Sequence, residues 1–318
     1  MILFTADWHI KLGQKNVPVD WAINRYHFFF DTIAELEEKV DCHIIGGDLF
    51  DRLPTMEELE LYFTFISQVK IPTLIFDGNH EATKKHKTFF SNLKDATQRV
   101  NSDVQVIDYS YQHGAINILP YVDLHKKNNL ECFDKTKPLF THVRGEIPPH
   151  VKPEVDLSMF DEFTTVFAGD LHSHTNTQRN IVYPGSPMTT SFHRSKVDTG
   201  YLLIDEDNGY QWEWKKFELP QLLRKTVSSP EEMIPTTFDH TIYELEGDMQ
   251  DLANVEDSEL LDKKVIKRST EATLVIDKDM TKEEELVEYL TYILEIPEEK
   301  IPNILGTYND YAKKAQLG

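Results

Sequence analysis

The sequence predicts an α/β protein built on two stacked sheets, and three observations carry that expectation. Apolar runs of four to six residues alternate with amphipathic helical stretches through the first third of the chain. From Ile116 onward strand-like runs dominate. Metal-capable side chains recur at the C-terminal ends of the apolar runs.

Taken in order, Ile2–Ala6 is the first expected strand. Trp21–Lys39 has helical periodicity, Cys42–Gly47 is apolar again, and Thr55–Val69 is a second helix. Thr73–Phe76, a helix over Lys84–Leu93 and the short run Val104–Ile107 complete the series. Short strands alternating with helices indicate a parallel sheet with covered faces. The strand-rich part comprises 116–122, 138–143, 164–169, 180–185, 200–205 and 210–219, and is expected to form the second sheet. Leu219–Pro235 holds three prolines and paired serines and reads as a linker. A smaller α/β region follows, with strands at 241–248 and 272–277 and helices at 282–294 and 302–315. The expected division is 1–220, 221–280 and 281–318.

At 318 residues with 40% hydrophobic content the chain can bury a substantial core. No apolar stretch approaches the roughly 18–20 residues of a membrane span. The N-terminus has no basic region of the signal-peptide kind. Two cysteines, Cys42 and Cys132, cannot frame a disulfide scaffold, so a cytoplasmic protein is expected. The net charge of −21 argues against a surface that grips nucleic acid everywhere. Residues 231–318 carry 22 Asp/Glu against 9 Lys/Arg, so most of that acidity lies in the C-terminal part. Local cationic patches elsewhere stay compatible with a polyanionic substrate.

The chemistry shows in position. The first apolar run ends in Asp7-Trp8-His9, the second in Gly46-Gly47-Asp48 with Asp51 behind, and the third in Asp77-Gly78-Asn79-His80-Glu81. His142 ends a later run, and Asp170-Leu171-His172-Ser173-His174 follow Gly169. Any one of these could be a turn, a helix cap or a core histidine. Five strand ends delivering the same residue types indicate one site, because ligands of open α/β sheets bind outside the carboxyl ends of strands. Carboxylate, imidazole and amide oxygen without thiolate suit manganese, iron or zinc. About seven donors exceed what one tetrahedral ion uses, whereas two ions sharing an aspartate account for them. Such a pair, about 3.5–4 Å apart, clamps the attacking and leaving oxygens of a phosphoryl displacement.

In order, these segments match D-x-H, G-D, G-N-H-[D/E], a lone H and G-[H/D]-x-H. Over roughly residues 1–215 the chain therefore resembles the calcineurin-like metallophosphoesterases. Within that superfamily, ADWHIKLG, GDLFDR and NIVYPGSPMTTSF with a following GYLLID look like SbcD-type DNA exonuclease subunits. The short C-terminal region resembles viral forms.

The resemblance implies a two-sheet αββα sandwich, a smaller C-terminal α/β capping domain and C-terminal helices. It implies that Asp7, His9, Asp48 and His172 hold one divalent metal ion. Asp48 would bridge to a second ion on Asn79, His142 and Asp170. Mn2+ is expected first, with Mg2+, Fe2+ or Zn2+ as alternatives. His80 would protonate the leaving group, and Trp8 and Tyr183–Pro187 would lie near the substrate groove. Relatives commonly have G-H-x-H where this chain has Gly169-Asp170-Leu171-His172. A gapless alignment makes Asp170 a ligand, while a shifted frame would use His172 and His174 instead.

Phosphate contacts supply much of the affinity for DNA. Lys11, Lys15, Lys84, Lys85, Lys87, Arg144, Arg179, Arg194 and Lys196 follow the motif loops and are the expected rim. The family further implies action on double-stranded DNA ends, exonucleolytic with possible single-strand endonuclease activity, in repair, recombination or replication. It also implies a homodimer, and an SbcC-type coiled-coil ATPase docked on the C-terminal helices. Competing readings are a small-molecule phosphodiesterase or protein phosphatase of the same fold, or a binding subunit with a decayed site.

Overall fold

The computed structural model describes residues 1–84, 87–234, 236–246, 260–266, 281–290, 296–297 and 300–315. The chain divides into two units, Met1–Leu245 with Gln250–Lys264, and Glu246–Met249 with Val265–Gly318.

The first unit opens with β1 (Ile2–Thr5), α1 (Val19–Glu37), β2 (Cys42–Gly46), α2 (Met56–Gln68) and β3 (Thr73–Phe76). A short ladder of β4 (Ala82–Lys84) and β5 (Lys87–Thr88) precedes α3 (Phe90–Val100) and β6 (Val104–Ile107). Then come β7 (Tyr111–His113), β8 (Ile116–Leu119), the single turn α4 (Tyr121–Leu124), β9 (Leu139–His142), β10 (Val166–Gly169) and β11 (Ile181–Val182). The hairpin β12 (Gly200–Asp205) and β13 (Gln211–Lys216) is followed by β14 (Leu222–Val227), β15 (His240–Glu246) and β16 (Leu261–Ile266). The second unit contains α5 (Lys282–Glu288) and α6 (Ile301–Ala315). Among the described residues no helix is long and apolar enough to cross a membrane.

Two mixed sheets stack face to face. One runs β13-β12-β1-β2-β3-β6 and the other β11-β10-β9-β8-β7. Alternation along each strand explains the layering. Ile2 and Phe4 of β1, Ile44 of β2 and Phe76 of β3 pack against Ile118, Phe140 and Phe167 of the second sheet. Leu3, Ile45 and Ile75 point the other way, into a core with Phe29, Phe30, Tyr62 and Phe65 of α1 and α2. The far face of the second sheet is covered by α4 and a 3-10 turn at Leu157–Phe160. Thr55 starts α2 with a reciprocal cap: its hydroxyl accepts from Glu58 N–H, and Glu58 accepts from Thr55 N–H.

Four expectations are corrected. The helix expected over Lys84–Leu93 begins only at Phe90, because the β4–β5 ladder occupies the preceding residues and Thr88 Oγ1 accepts the Phe90 N–H. β12 and β13 join the first sheet, β12 running antiparallel to β1, and not the second. The linker expected at Leu219–Pro235 contains β14, which pairs in parallel with β15. Tyr111–His113 is a further strand, antiparallel to β8. The expected strand at 272–277, and residues 291–294 of the expected 282–294 helix, lie outside the described residues.

Candidate metal centre

The donors sit where β1, β2 and β3 of one sheet and β9 and β10 of the other reach the same edge. Four of them have left-handed backbone: Asp7 at φ 56°, His9 at 46°, Asp48 at 49° and Asp170 at 99°. Each such residue costs about 1–3 kcal/mol and persists only where its surroundings hold it. Here the holding bonds are visible. His9 N–H donates to Asp48 O (2.9 Å), Asp170 N–H to Asp7 Oδ1 (3.0 Å) and Ser186 Oγ–H to Asp7 O (2.7 Å). Gly47 lies at φ 84°, and a Cβ there would sit 2.6 Å from His142 Nδ1. At Gly78 a Cβ would come within 2.2 Å of Asp48 Oδ1. Those positions admit no side chain.

On one side, Asn79 Oδ1 lies 2.9 Å from His142 Nε2. The same end of the amide is 3.2 Å from both Asp170 Oδ1 and Asp48 Oδ2. His142 Nδ1 faces Gly46 O at 2.9 Å, so that nitrogen donates and Nε2 presents its lone pair to the cluster. Asp48 Oδ2, Asp170 Oδ1 and His142 Nε2 thus converge as acceptors on one end of the amide, where the Asn79 NH2 satisfies all three and its oxygen would serve a cation. On the other side, His9 Nε2 and His172 Nε2 face each other at 3.0 Å, with Asp48 Oδ2 3.7 Å from His9 Nε2. Asp48 is shared by both sides. Asp7 is wholly buried between them, and its set with His9 and His172, like its set with Asp48 and His142, spans no more than 4.8 Å.

The electrostatics carry the same demand for positive charge. Burial, with Asp48 beside it, pushes the Asp7 carboxyl well above the ordinary range. Burial holds the His9 imidazole down to about 3 and also lowers His172, so both rings are neutral with a lone pair free. At Asp48 burial would raise the carboxyl, but His142, His9 and His80 pull it below the ordinary range. Burial likewise opposes charging of His142, yet Asp48, Asp7 and Asp170 raise it well above its usual value. The carboxylates require a cation at that point, which a proton or a metal ion can supply. The donor set fits divalent ions.

The pattern of the calcineurin-like phosphoesterases matches residues 1–172. The chain belongs to that family. Calcineurin-like phosphoesterases are enzymes that use divalent metals, in keeping with the clusters described above. The chain is 41% identical over 98% of its length to a phage T5 protein named "Probable exonuclease subunit 1", of which it covers 98%. It is 26% identical, over 72% of this chain and 82% of the relative, to a protein of Invertebrate iridescent virus 6 named as a phosphoesterase, 244L.

Against this phosphoesterase centre the other expected residues separate. His80 Nδ1 meets Asp51 O at 2.5 Å, leaving Nε2 3.8 Å from Asp48 Oδ2 on the partly exposed rim. His174 is not drawn in. Its Nδ1 meets Tyr183 O at 2.7 Å and its ring stacks on Trp214. Trp8, expected at the groove, is instead core: it is 1% exposed, packs on Phe29 and Phe65, and donates to Thr5 Oγ1. The Tyr183–Pro187 turn braces the centre, and its Ser186 also lines the neighbouring groove. Tyr183 donates to Val143 O, while Ser186 N–H reaches His172 O and its hydroxyl reaches Asp7 O.

The expected cations are dispersed. Lys11 pairs with Asp51 at 2.7 Å and Arg144 with Asp170 at 3.2 Å, both beside the centre. Arg179 pairs with Asp161 and Lys196 with Asp239. Lys15, Lys84, Lys87 and Arg194 are exposed, and Lys85 lies outside the described residues.

Two supporting groups escaped the sequence reading. Glu81 is fully buried and accepts backbone N–H bonds from Asp48 (2.9 Å), Phe50 (2.9 Å) and Gly78 (2.8 Å), clasping two ligand loops together. Its carboxyl is pushed up to about 7 by burial and by Asp48. Its place after Asn79-His80 was the available signal. Ser186 gave none, since a serine in a Pro-Gly turn is ordinary.

Proposed function

We propose that the chain is a two-metal DNA phosphodiesterase, a double-strand exonuclease with single-strand endonuclease capacity. In this reading it is the nuclease subunit of an SbcCD-like assembly serving DNA repair, recombination or replication. The observation that carries it is the pair of donor clusters sharing Asp48. The phage T5 relative's name, an exonuclease subunit, supports DNA as substrate and a partnered assembly.

Asp7, His9, Asp48 and His172 would hold one ion, and Asp48, Asn79, His142 and Asp170 the other. Mn2+ is the first choice for this oxygen and imidazole set. When bound, the two ions lower the pKa of a bound water and neutralise charge on the phosphoryl oxygens. Arg144 offsets the extra negative charge that Asp170 brings where relatives carry histidine, and holds its carboxylate in place. The Asp51 carbonyl takes the Nδ1–H of His80, so Nε2 is the atom turned to the leaving group, and as an imidazolium the ring would give that group its proton. Asp7 and Asp170 are tied by the Asp170 N–H, so the two strand ends keep a common geometry. We also retain as proposals the division at 220 and 280, a homodimer, and docking of an SbcC-type ATPase on 281–318. Partial exposure of Tyr289, Ile304 and Tyr308 supports the docking.

The test is degradation of end-labelled linear duplex DNA in Mn2+ by the purified chain, beside Asp48→Ala and a chromogenic phosphodiester. Loss of label that disappears in the variant is expected. Turnover of the small ester with intact DNA, with and without an added SbcC-type ATPase and ATP, would overturn the nuclease reading and leave the phosphodiesterase.

A further inference from the structure

A groove of about 480 Å3 opens beside the metal centre, between His172 and Thr199. Its wall mixes apolar side chains, Leu171, Met188 and Val197 among them, with the hydroxyls of Ser173, Thr175, Thr190 and Ser191. It begins at a metal-ligand candidate. His172 turns Nε2 toward His9, while Nδ1 faces Thr190 Oγ1 at 3.4 Å on the groove side. The acid on its wall, Asp198, is paired with Lys216 at 2.9 Å.

A second, positively charged depression begins at Arg194, the residue after groove-lining His193. His193 N–H donates to Leu222 O and Arg224 N–H to His193 O, so the 193–194 segment is stitched onto β14. That pairing sets Arg194 beside Arg224, Lys225 and Thr226 in one surface depression. Arg194 reaches Thr226 Oγ1 at 3.1 Å. Two acids adjoin the patch and both are engaged. Glu244 is buried under Arg224 (3.5 Å) and Lys264 (2.6 Å), and Glu232 accepts the N–H groups of Ser228 and Ser229. Arg224 Nε is buried without a hydrogen-bond partner among the described residues. In a chain of net charge −21 this is a local reversal of sign.

We infer that this groove is the track of a single nucleic-acid strand leaving the metal centre. Its phosphates meet the Thr190–Ser191 hydroxyls first and then Arg194, Arg224 and Lys225. Hydroxyls and arginines are the usual partners of phosphate oxygens, and such contacts position the strand without reading its sequence. The volume of about 480 Å3, that of a small-ligand pocket, suits one strand over a duplex. The inference rests on the nuclease reading and names how that substrate is held.

The experiment is fluorescence anisotropy of a labelled oligodeoxythymidylate with the full-length chain in EDTA, across a salt series. The variant carries Arg194→Gln, Arg224→Gln and Lys225→Gln. Its Kd should rise roughly tenfold or more at low salt, and the slope of log K against log salt should fall by about 2. A double variant sparing Arg224, and so the Glu244 pair, should show a smaller step in the same direction. Lys39→Gln, Lys70→Gln and Arg99→Gln remove equal charge from the last turn of α3 and from the loops that precede β2 and β3, at the opposite ends of the strands, and should leave Kd unchanged. Far-UV circular dichroism, superimposable on the wild type in all variants, reports the fold. Equal weakening by the control variant would overturn the track in favour of net charge. An unchanged Kd in the triple variant would also overturn it and leave the patch to an acidic protein segment. A wild-type chain that hydrolyses the diester but binds no oligonucleotide would overturn the track, while the nuclease reading stands or falls by the end-labelled duplex assay.

Discussion

Two buried polar clusters flank β1, and they are built to opposite ends. Beneath Thr5 runs a closed chain of protons. Trp8 Nε1–H donates to Thr5 Oγ1 (2.9 Å), the Thr5 hydroxyl meets His43 Nε2 (2.9 Å), and His43 Nδ1 meets Glu37 Oε1 (3.1 Å). One tautomer satisfies every member, with Thr5 and His43 each passing a proton on. Two residues further along the chain, past the end of β1, Asp7 opens a cluster in which carboxylates of Asp48 and Asp170, the Asn79 amide and the rings of His142, His9 and His172 crowd together. The first cluster stabilises the fold by itself. The second needs a cation, and strained backbone at four of its members is held in place for that end. Histidine plus carboxylate in a core is therefore uninformative until the protons are followed.

Substitution should separate the two. Asp7→Asn should lower kcat/KM on a chromogenic diester by more than about a hundredfold, the upper end of what losing a group that merely supports a ligand costs. In EDTA its Tm should equal or exceed the wild type's, because a buried charge beside Asp48 has been removed. A large fall in that Tm would mean the ligand cluster is structural after all. His43→Ala should do the reverse, costing about 3 kcal/mol in urea unfolding by stranding Glu37 and opening a cavity. Hydrolysis of the diester at saturating Mn2+ should stay within a few fold. Loss of turnover with an unchanged urea midpoint would erase the distinction.

The smallest effect sets the scale for exposed charge. Lys94 Nζ meets Asp108 Oδ1 at 2.6 Å near the surface. Partial burial works against the Asp108 charge, but Lys94 and Ser91 hold its carboxyl below the ordinary range. A carboxyl lowered in the folded state adds stability above its unfolded value, and that stability disappears as pH falls through the lowered one. Lys94→Ala should cost under about 1 kcal/mol at pH 7. The difference from wild type should shrink to nothing in unfolding curves taken below the carboxylate range; a pH-independent difference would point to lost packing instead.

The positions of the donors were legible because they depend on local information. A short apolar run ended by a polar residue marks a strand end, and Asp7, Asp48, Asn79, His142 and Asp170 all occupy such ends, three of them directly after a glycine. Stacked sheets with helices over the first were legible from alternation for the same reason. What lay beyond reach depends on partners distant in sequence. β12 adds to β1 across 200 residues of chain, and β14 pairs with β15 inside a stretch whose prolines suggested a linker. Trp8 reads as a groove residue until Phe29 and Phe65 are seen around it. Asp170 and His174 are equally metal-capable on paper. Only the folded chain turns His174 onto Tyr183 O and Trp214 while the Asp170 N–H binds Asp7. Residue types and their spacing determine which atoms this protein can offer a cation. Which of them face the same point is decided by sheet pairing, where one register step moves a side chain to the other face.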